Sequence, residues 1–360
     1  MTDQVTNRQL FFIIVITLVG FSIIELPKSL AESSGRGAWI TLIIASISFG
    51  VLAAILAYLG YLFQGKTLFE YSQLLVGKLL ASFFVMIYLV YFTIILAFLN
   101  RSAAEVIKTD LLIKTPIWYT MLFMLIFSGY AASKGITNVG RILEYYGVII
   151  IFLAICIHIA MFFQGDLIDI KPFYNSAEKI KYFTALPEVI IAFLGFEVLS
   201  IIPFSRHNGK KAVVYVIGAM LFVGLFYILI VETSFMVLSV EDTKNYKNTL
   251  IAAMRRVEIK HLQFLVRLDI IFFMAWIFAL FSTFTVVTCT AAGLLKKLFP
   301  SLKRQWNLIV ILVVAYMLGV LPSTRLASQI LTVTTKNLGL VPAGVIPIIL
   351  FVIAKVKRYG

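Results

Sequence analysis

The chain has 360 residues, of which 61% are hydrophobic and only 13% charged. A soluble globular domain is about half apolar and about a quarter charged, so this composition excludes an ordinary soluble protein. The net charge of +14 would suggest nucleic acid in a soluble chain, but here the bases sit in short segments between apolar runs, where membrane orientation and anionic headgroups account for them.

Apolar runs of spanning length recur from end to end. They predict an all-α polytopic membrane protein with ten transmembrane helices, at roughly 10–28, 38–63, 80–100, 116–133, 143–164, 184–204, 212–239, 267–295, 305–322 and 338–355. A membrane β-barrel would instead show short alternating strands. The first run is longer than a signal-peptide core and lacks a small-x-small cleavage site, so it is expected to insert uncleaved. Cys156 and Cys289 lie inside apolar runs; no disulfide framework and no zinc spacing is indicated.

Span 1 contains Gly20-Phe21-Ser22-Ile23, then Glu25 and Pro27. That pattern predicts a helix broken at mid-membrane around Gly20-Phe21-Ser22. Backbone groups freed there must be satisfied by protein, water or a ligand. The loop at 65–78 predicts a short interfacial amphipathic helix with Leu68, Tyr71, Leu74 and Leu75 on one face. The loop at about 240–266 holds a second amphipathic candidate at 249–258, read either as a cap over the outer mouth or a partner contact, or as a solvated connector.

Span 6 is interrupted too. It reads Ala192-Phe193-Leu194-Gly195-Phe196-Glu197, followed by Leu199 and Pro203. Two sets of five spans have opposite orientations, which is the arithmetic of an inverted repeat at about 10–164 and 184–355 in a single domain, 1–360. Interruptions at matching positions of two such halves point to a small-molecule site at the midplane. A half-helix that starts there offers N–H groups to a carboxylate, and one that ends there offers carbonyls to an ammonium. The pair suits a zwitterionic amino acid, with Phe21, Phe193 and Phe196 as pocket walls. The alternative is that Gly20 and Gly195 merely permit close helix packing.

Ionisable residues inside spans are candidates for coupling or ligand contact. Glu25 is placed to meet a substrate ammonium or a proton, and Glu197 either contacts ligand or caps the second half-helix. His158 and Glu232 are proton-relay candidates, His158 alternatively an interhelical hydrogen bonder. Tyr91 in span 3 and Thr283 in span 8 are further pocket candidates, against the alternative of plain helix packing. No catalytic constellation appears, so the chain is not read as an enzyme, and no cofactor is implied.

Loops at Arg8, Lys66 and Lys78, Lys134 and Arg141, Arg206 to Lys211, Lys296 to Arg304, and Lys355 to Arg358 are short and dense in bases. This places both termini in the cytoplasm.

Gly20-Phe21-Ser22-Ile23…Pro27 resembles the span 1 element of amino-acid/polyamine/organocation (APC) transporters, and Phe193-Leu194-Gly195-Phe196-Glu197 resembles their span 6 element. Ser22 and Phe21 stand where that family has smaller residues, which implies a tighter first gap and a small ligand. A narrower resemblance covers nearly the whole chain. Gly35-Arg36-Gly37-Ala38-Trp39-Ile40, Gly65-Lys66-Thr67-Leu68-Phe69-Glu70-Tyr71-Ser72, Ala132-Ser133-Lys134-Gly135-Ile136 with Arg141…Glu144, and Arg267-Leu268-Asp269…Trp276 are similar, in order and spacing, to spore germination receptor B subunits of the GerAB type.

The resemblance implies a LeuT/APC-type 5+5 fold with discontinuous helices 1 and 6. It implies a nutrient-sensing subunit in a spore inner membrane, with an amino acid or similar nutrient between helices 1, 3, 6 and 8. The implied partners are a membrane A subunit and a lipoprotein C subunit. The competing expectation is a proton- or sodium-coupled amino-acid permease.

Overall fold

The computed structural model describes residues 4–175, 179–205, 208–257, 268–321 and 325–359. Span 1 begins at α1 (Asn7–Ser22), whose start is fixed by a reciprocal cap: the Gln9 amide donates to Thr6 Oγ1 at 3.3 Å, and the Thr6 amide to Gln9 Oε1 at 3.1 Å. A turn at residues 23–25 separates it from α2 (Leu26–Ser33), which carries Pro27 in its first turn, where the missing N–H is harmless. Span 2 is α3 (Ala38–Leu62). The interfacial helix α4 (Leu68–Val76) is capped by Thr67 and Glu70, and buries Leu68, Tyr71 and Leu75. Leu74, expected on the same face, points outward and is exposed.

Span 3 is α5 (Lys78–Asp110), spans 4 and 5 are α6 (Ile117–Ala132) and α7 (Ile136–Gln164). Span 3 runs ten residues past its expected end at 100, carrying Glu105 and Asp110 on the helix and not on a loop. A short α8 (Lys179–Thr184) leads into span 6, which is α9 (Leu186–Phe193) followed by a 3-10 segment, Phe196–Ile201. Span 7 is α10 (Lys211–Leu238). The next connection folds into α11 (Val240–Thr243) and α12 (Thr249–Arg256), the amphipathic candidate, whose Leu250, Ile251, Ala253 and Met254 are all buried. Residues 258–267, including Glu258 and Arg267, lie outside the described set.

Spans 8 and 9 are α13 (Leu268–Leu298) and α14 (Arg304–Val320). Span 10 is α15 (Arg325–Leu340), a π turn at Val341–Val345 and α16 (Ile346–Val356). It starts well before the expected residue 338: its first half is polar, with Ser328, Gln329 and Thr332 sharing a cavity with Phe98 and Arg101 of α5 and Lys336 pairing with Glu188 of α9 at 3.3 Å.

Six of these helical segments are long and apolar enough to cross a membrane alone. With the shorter α1, α6 and α14 and the divided span 6, they account for ten crossings among the described residues. The chain is a multi-pass membrane protein. α1 lies at its centre, packed against α13, α10, α7 and α9, and Leu10 and Ile13 to Ile16 are wholly buried. A helix that is apolar all round belongs in an interior.

Candidate functional site

The break in span 6 is sharp. Leu194 is extended (φ −76°, ψ 144°), and Gly195 has φ 131°, a conformation that favours glycine. The helix therefore stops at Phe193, and the Ala192 carbonyl loses its helical partner. Tyr227 of α10 supplies one: its hydroxyl lies 2.8 Å from the Ala192 oxygen and 2.8 Å from the Leu18 oxygen of α1. The phenol has one proton, so it donates to one carbonyl at a time. The Ser22 hydroxyl lies 3.1 Å from the phenolic oxygen and 3.2 Å from the Leu18 carbonyl. Tyr227 thus joins spans 1, 6 and 7 at one point.

Span 1 is discontinuous, but not where its glycine suggested. α1 remains helical through Gly20 and Ser22, and the interruption is the turn at Ile23, Ile24 and Glu25. Gly20 serves packing: a Cβ there would overlap Thr283 Oγ1 and stand 2.8 Å from the Ala279 carbonyl oxygen of α13. Thr283 is the matching contact, its hydroxyl 3.1 Å from the Ile16 carbonyl and 3.3 Å from that of Thr17. Close packing, held open as the alternative for Gly20, is the geometry found. Ile23 is buried at the turn; the side chain of Phe21 lies outside the described residues.

Glu197 is fully buried. Its Oε2 accepts the Gly195 amide at 2.6 Å and the Tyr91 hydroxyl at 3.4 Å, while Oε1 has no protein partner. The carboxylate therefore ties the break to span 3. Thr17 flanks Gly195, with its methyl 3.1 Å from where a Cβ would stand, and its own hydroxyl is unpartnered. Gly339 of α15 closes the other side against Leu194 and Tyr91. Phe193 stacks on Phe49 (5.5 Å) and meets Tyr227 edge-on (5.4 Å). Phe196 and Leu199 are buried below.

The structure thus gathers Ser22, Tyr91, Phe193, Leu194, Gly195 and Glu197 around one junction. It adds Tyr227, Thr17 and Gly339, which sequence reading missed. Tyr227 sits in an apolar run with no local mark, although a tyrosine mid-span implies a hydrogen-bond partner.

Three ionisable candidates lie elsewhere. His158 Nδ1 is 2.9 Å from Thr233 Oγ1, an interhelical bond between α7 and α10. Glu232 accepts the Trp39 backbone amide, capping the first turn of α3, and its Oε1 is unpartnered. Glu25 is exposed to a polar cavity of about 620 Å³, shared with Lys28, Arg101, Glu105, Lys247 and Gln329. Arg101 and Lys247 both pair with Glu105, at 2.8 and 3.4 Å. This vestibule ends at the turn in span 1. α12 covers the same turn, with the Leu250 amide donating to the Ile24 carbonyl at 3.3 Å. Arg255 holds α12 in place through Asp110 (3.1 Å) and Asp269 (3.3 Å).

A family profile described as spore germination protein matches residues 4–327. The chain belongs to that family. It is 26% identical to spore germination protein YndE of Bacillus subtilis (strain 168), over 100% of this chain and 98% of the relative. It is 27% identical to spore germination protein A2 of the same organism, over 96% and 94%. Among solved structures, MhsT in complex with L-phenylalanine superposes with a TM-score of 0.68 at 13% identity, covering 98% of this chain and 99% of that one. The fold of this family member is accordingly of the LeuT type, with discontinuous helices 1 and 6.

Proposed function

We propose that the chain is the nutrient-sensing membrane subunit of a spore germination receptor. In this reading an amino acid or similar small nutrient binds at mid-membrane between helices 1, 3, 6 and 8, in an assembly with an A-type membrane subunit and a C-type lipoprotein. The membrane is the spore inner membrane, with both termini on the core side. The single observation that carries the reading is the junction at Ala192 to Glu197. There the amide of Gly195 and the carbonyl of Ala192, the groups suited to a ligand carboxylate and ammonium, are held by the chain's own Glu197 and Tyr227.

A zwitterion exchanges with those internal partners. Releasing Tyr227 frees span 6 from spans 1 and 7 together, so the ligand has a differential affinity for two arrangements of the halves. Treating 10–164 and 184–355 as the two moving repeats follows from the same reading. The vestibule at Glu25 supplies the approach, its mixed charges matching a zwitterion's two ends. His158 and Glu232, with partners of their own, have structural roles here.

A coupled permease shares the fold and the junction. The discriminating experiment reconstitutes the chain alone in liposomes and measures binding and uptake of tritiated L-amino acids. Saturable binding without accumulation supports the sensor; accumulation against a gradient driven by protons or sodium replaces it with the permease.

A further inference from the structure

We infer that the groove between α6, α7 and α13 is a binding site for an anionic glycerophospholipid, its headgroup at Lys134 and an acyl chain along α7. The groove encloses about 670 Å³ and is lined almost wholly by apolar atoms. Its walls are Ile142, Ile149 and Leu153 on one side and Met274 and Phe278 on the other. Three of the four hydroxyls in the lining are spoken for: Tyr146 and Ser282 bond one another, Ser282 also reaches the Phe278 carbonyl at 2.6 Å, and Thr285 reaches the Phe281 carbonyl at 2.7 Å; the fourth belongs to Tyr130, at the Lys134 end. A polar nutrient finds no bonding partner along this floor, whereas a hydrocarbon chain loses nothing there.

The polar end is different. Among the described residues, Lys134 is the one charged residue lining the groove, and no carboxylate lines it. Lys134 is exposed in the turn joining spans 4 and 5, its ammonium 4.8 Å from the centre of the Tyr130 ring. Arg304 adds a second positive charge beside the same turn, its guanidinium 2.9 Å from where a Cβ on Gly135 would stand. Basic pockets between membrane helices at this level suit anionic headgroups.

The dimensions agree. Val139 and Leu153, at the two ends of the α7 wall, are about 21 Å apart along a helix rising 1.5 Å per residue. The hydrocarbon of one leaflet is about 15 Å deep, so a chain anchored at Lys134 lies within the groove for its whole length. A comparably apolar cavity between α5, α6 and α13, of about 720 Å³, has no basic lining residue among the described residues and so nothing there with which to select a headgroup. Selectivity is therefore assigned to the Lys134 groove alone.

The test is native mass spectrometry of the purified full chain in detergent, titrated separately with phosphatidylglycerol and phosphatidylcholine. Phosphatidylglycerol is expected to bind more tightly. K134Q is expected to weaken it about fivefold, the effect of one basic residue at a membrane surface, while K134R stays near wild type. Ile149→Trp, which fills the groove, is expected to reduce binding of both lipids. Equal binding of the two lipids, or a K134Q protein indistinguishable from wild type, overturns the proposal. So does a photo-crosslinker at position 149 that captures a partner membrane protein and no lipid in the assembled receptor.

Discussion

The Tyr227 hydroxyl sits 2.8 Å from the carbonyl oxygen of Ala192, a carbonyl left without a helical partner where span 6 leaves the helical path. One phenol on a continuous helix thereby satisfies the backbone of a broken one, and through Leu18 and Ser22 it holds a second. A freed carbonyl inside hydrocarbon is costly, so this side chain stabilises the break as well as linking three spans.

Tyr227→Phe keeps the ring against Phe193 and removes only the hydroxyl. It is expected to destabilise the purified protein by about 1–3 kcal/mol, the cost of an unsatisfied buried acceptor, seen as a lowered Tm. The same variant is expected to shift the nutrient dose–response, because in the proposed reading a ligand displaces Tyr227. An unchanged Tm and an unchanged response together would remove Tyr227 from the account.

Gly195→Ala forces a side chain into φ 131°, with Thr17 and Leu18 atoms 3.1 and 3.2 Å from the new Cβ. Strain of about 1–3 kcal/mol is expected. Gly218→Ala on α10 is the control, since nothing lies within 4 Å of its Cβ position. Thermal unfolding of the two variants side by side should separate them clearly; similar stabilities would contradict the geometry of the break.

Arg255→Gln removes the cation shared by Asp110 and Asp269. Asp269 is almost fully buried, but the arginine is itself partly exposed, so the loss is set at about 1–2 kcal/mol, below that for a fully buried pair. With α12 loosened, hydrogen exchange at the Leu250 amide should quicken. Protection equal to wild type would mean the ion pairs do not hold α12 over the turn.

Glu70 provides a pH test outside the spans. Partial burial alone would push its carboxyl up, but hydrogen bonds from the Lys297 ammonium and from Thr67 outweigh it and hold the group below its ordinary range. A depressed carboxylate contributes stability above the unfolded-state pKa and loses it as pH falls through the folded one. The Tm gap between wild type and Glu70→Gln should therefore be full near neutrality and close below about pH 4. A gap that widens on acidification would show the opposite sign.

Much of this was legible in the chain itself. Apolar run length gave the spans, and Gly195 marked the span 6 break because its backbone conformation favours glycine. Span 1 was read one turn early. Gly20 looked like a break, but its smallness admits Thr283 and Ala279 at a helix crossing. The better marker was Pro27, which sits in the first turn of α2 and places the interruption just before it. Tyr227 and Ala192 are 35 residues apart, and Tyr227 and Leu18 are 209 apart. No local pattern encodes such pairings. The polar start of span 10 was missed because a helix half-lining a vestibule is not apolar.

The most direct test of the central claim is equilibrium binding of tritiated L-amino acids to the purified chain in lipid nanodiscs, comparing wild type with Gly195→Trp and Gly218→Ala. The account predicts saturable binding of at least one amino acid by wild type and Gly218→Ala, and its loss in Gly195→Trp. Saturable binding that survives unchanged in Gly195→Trp would contradict a site at the span 6 break.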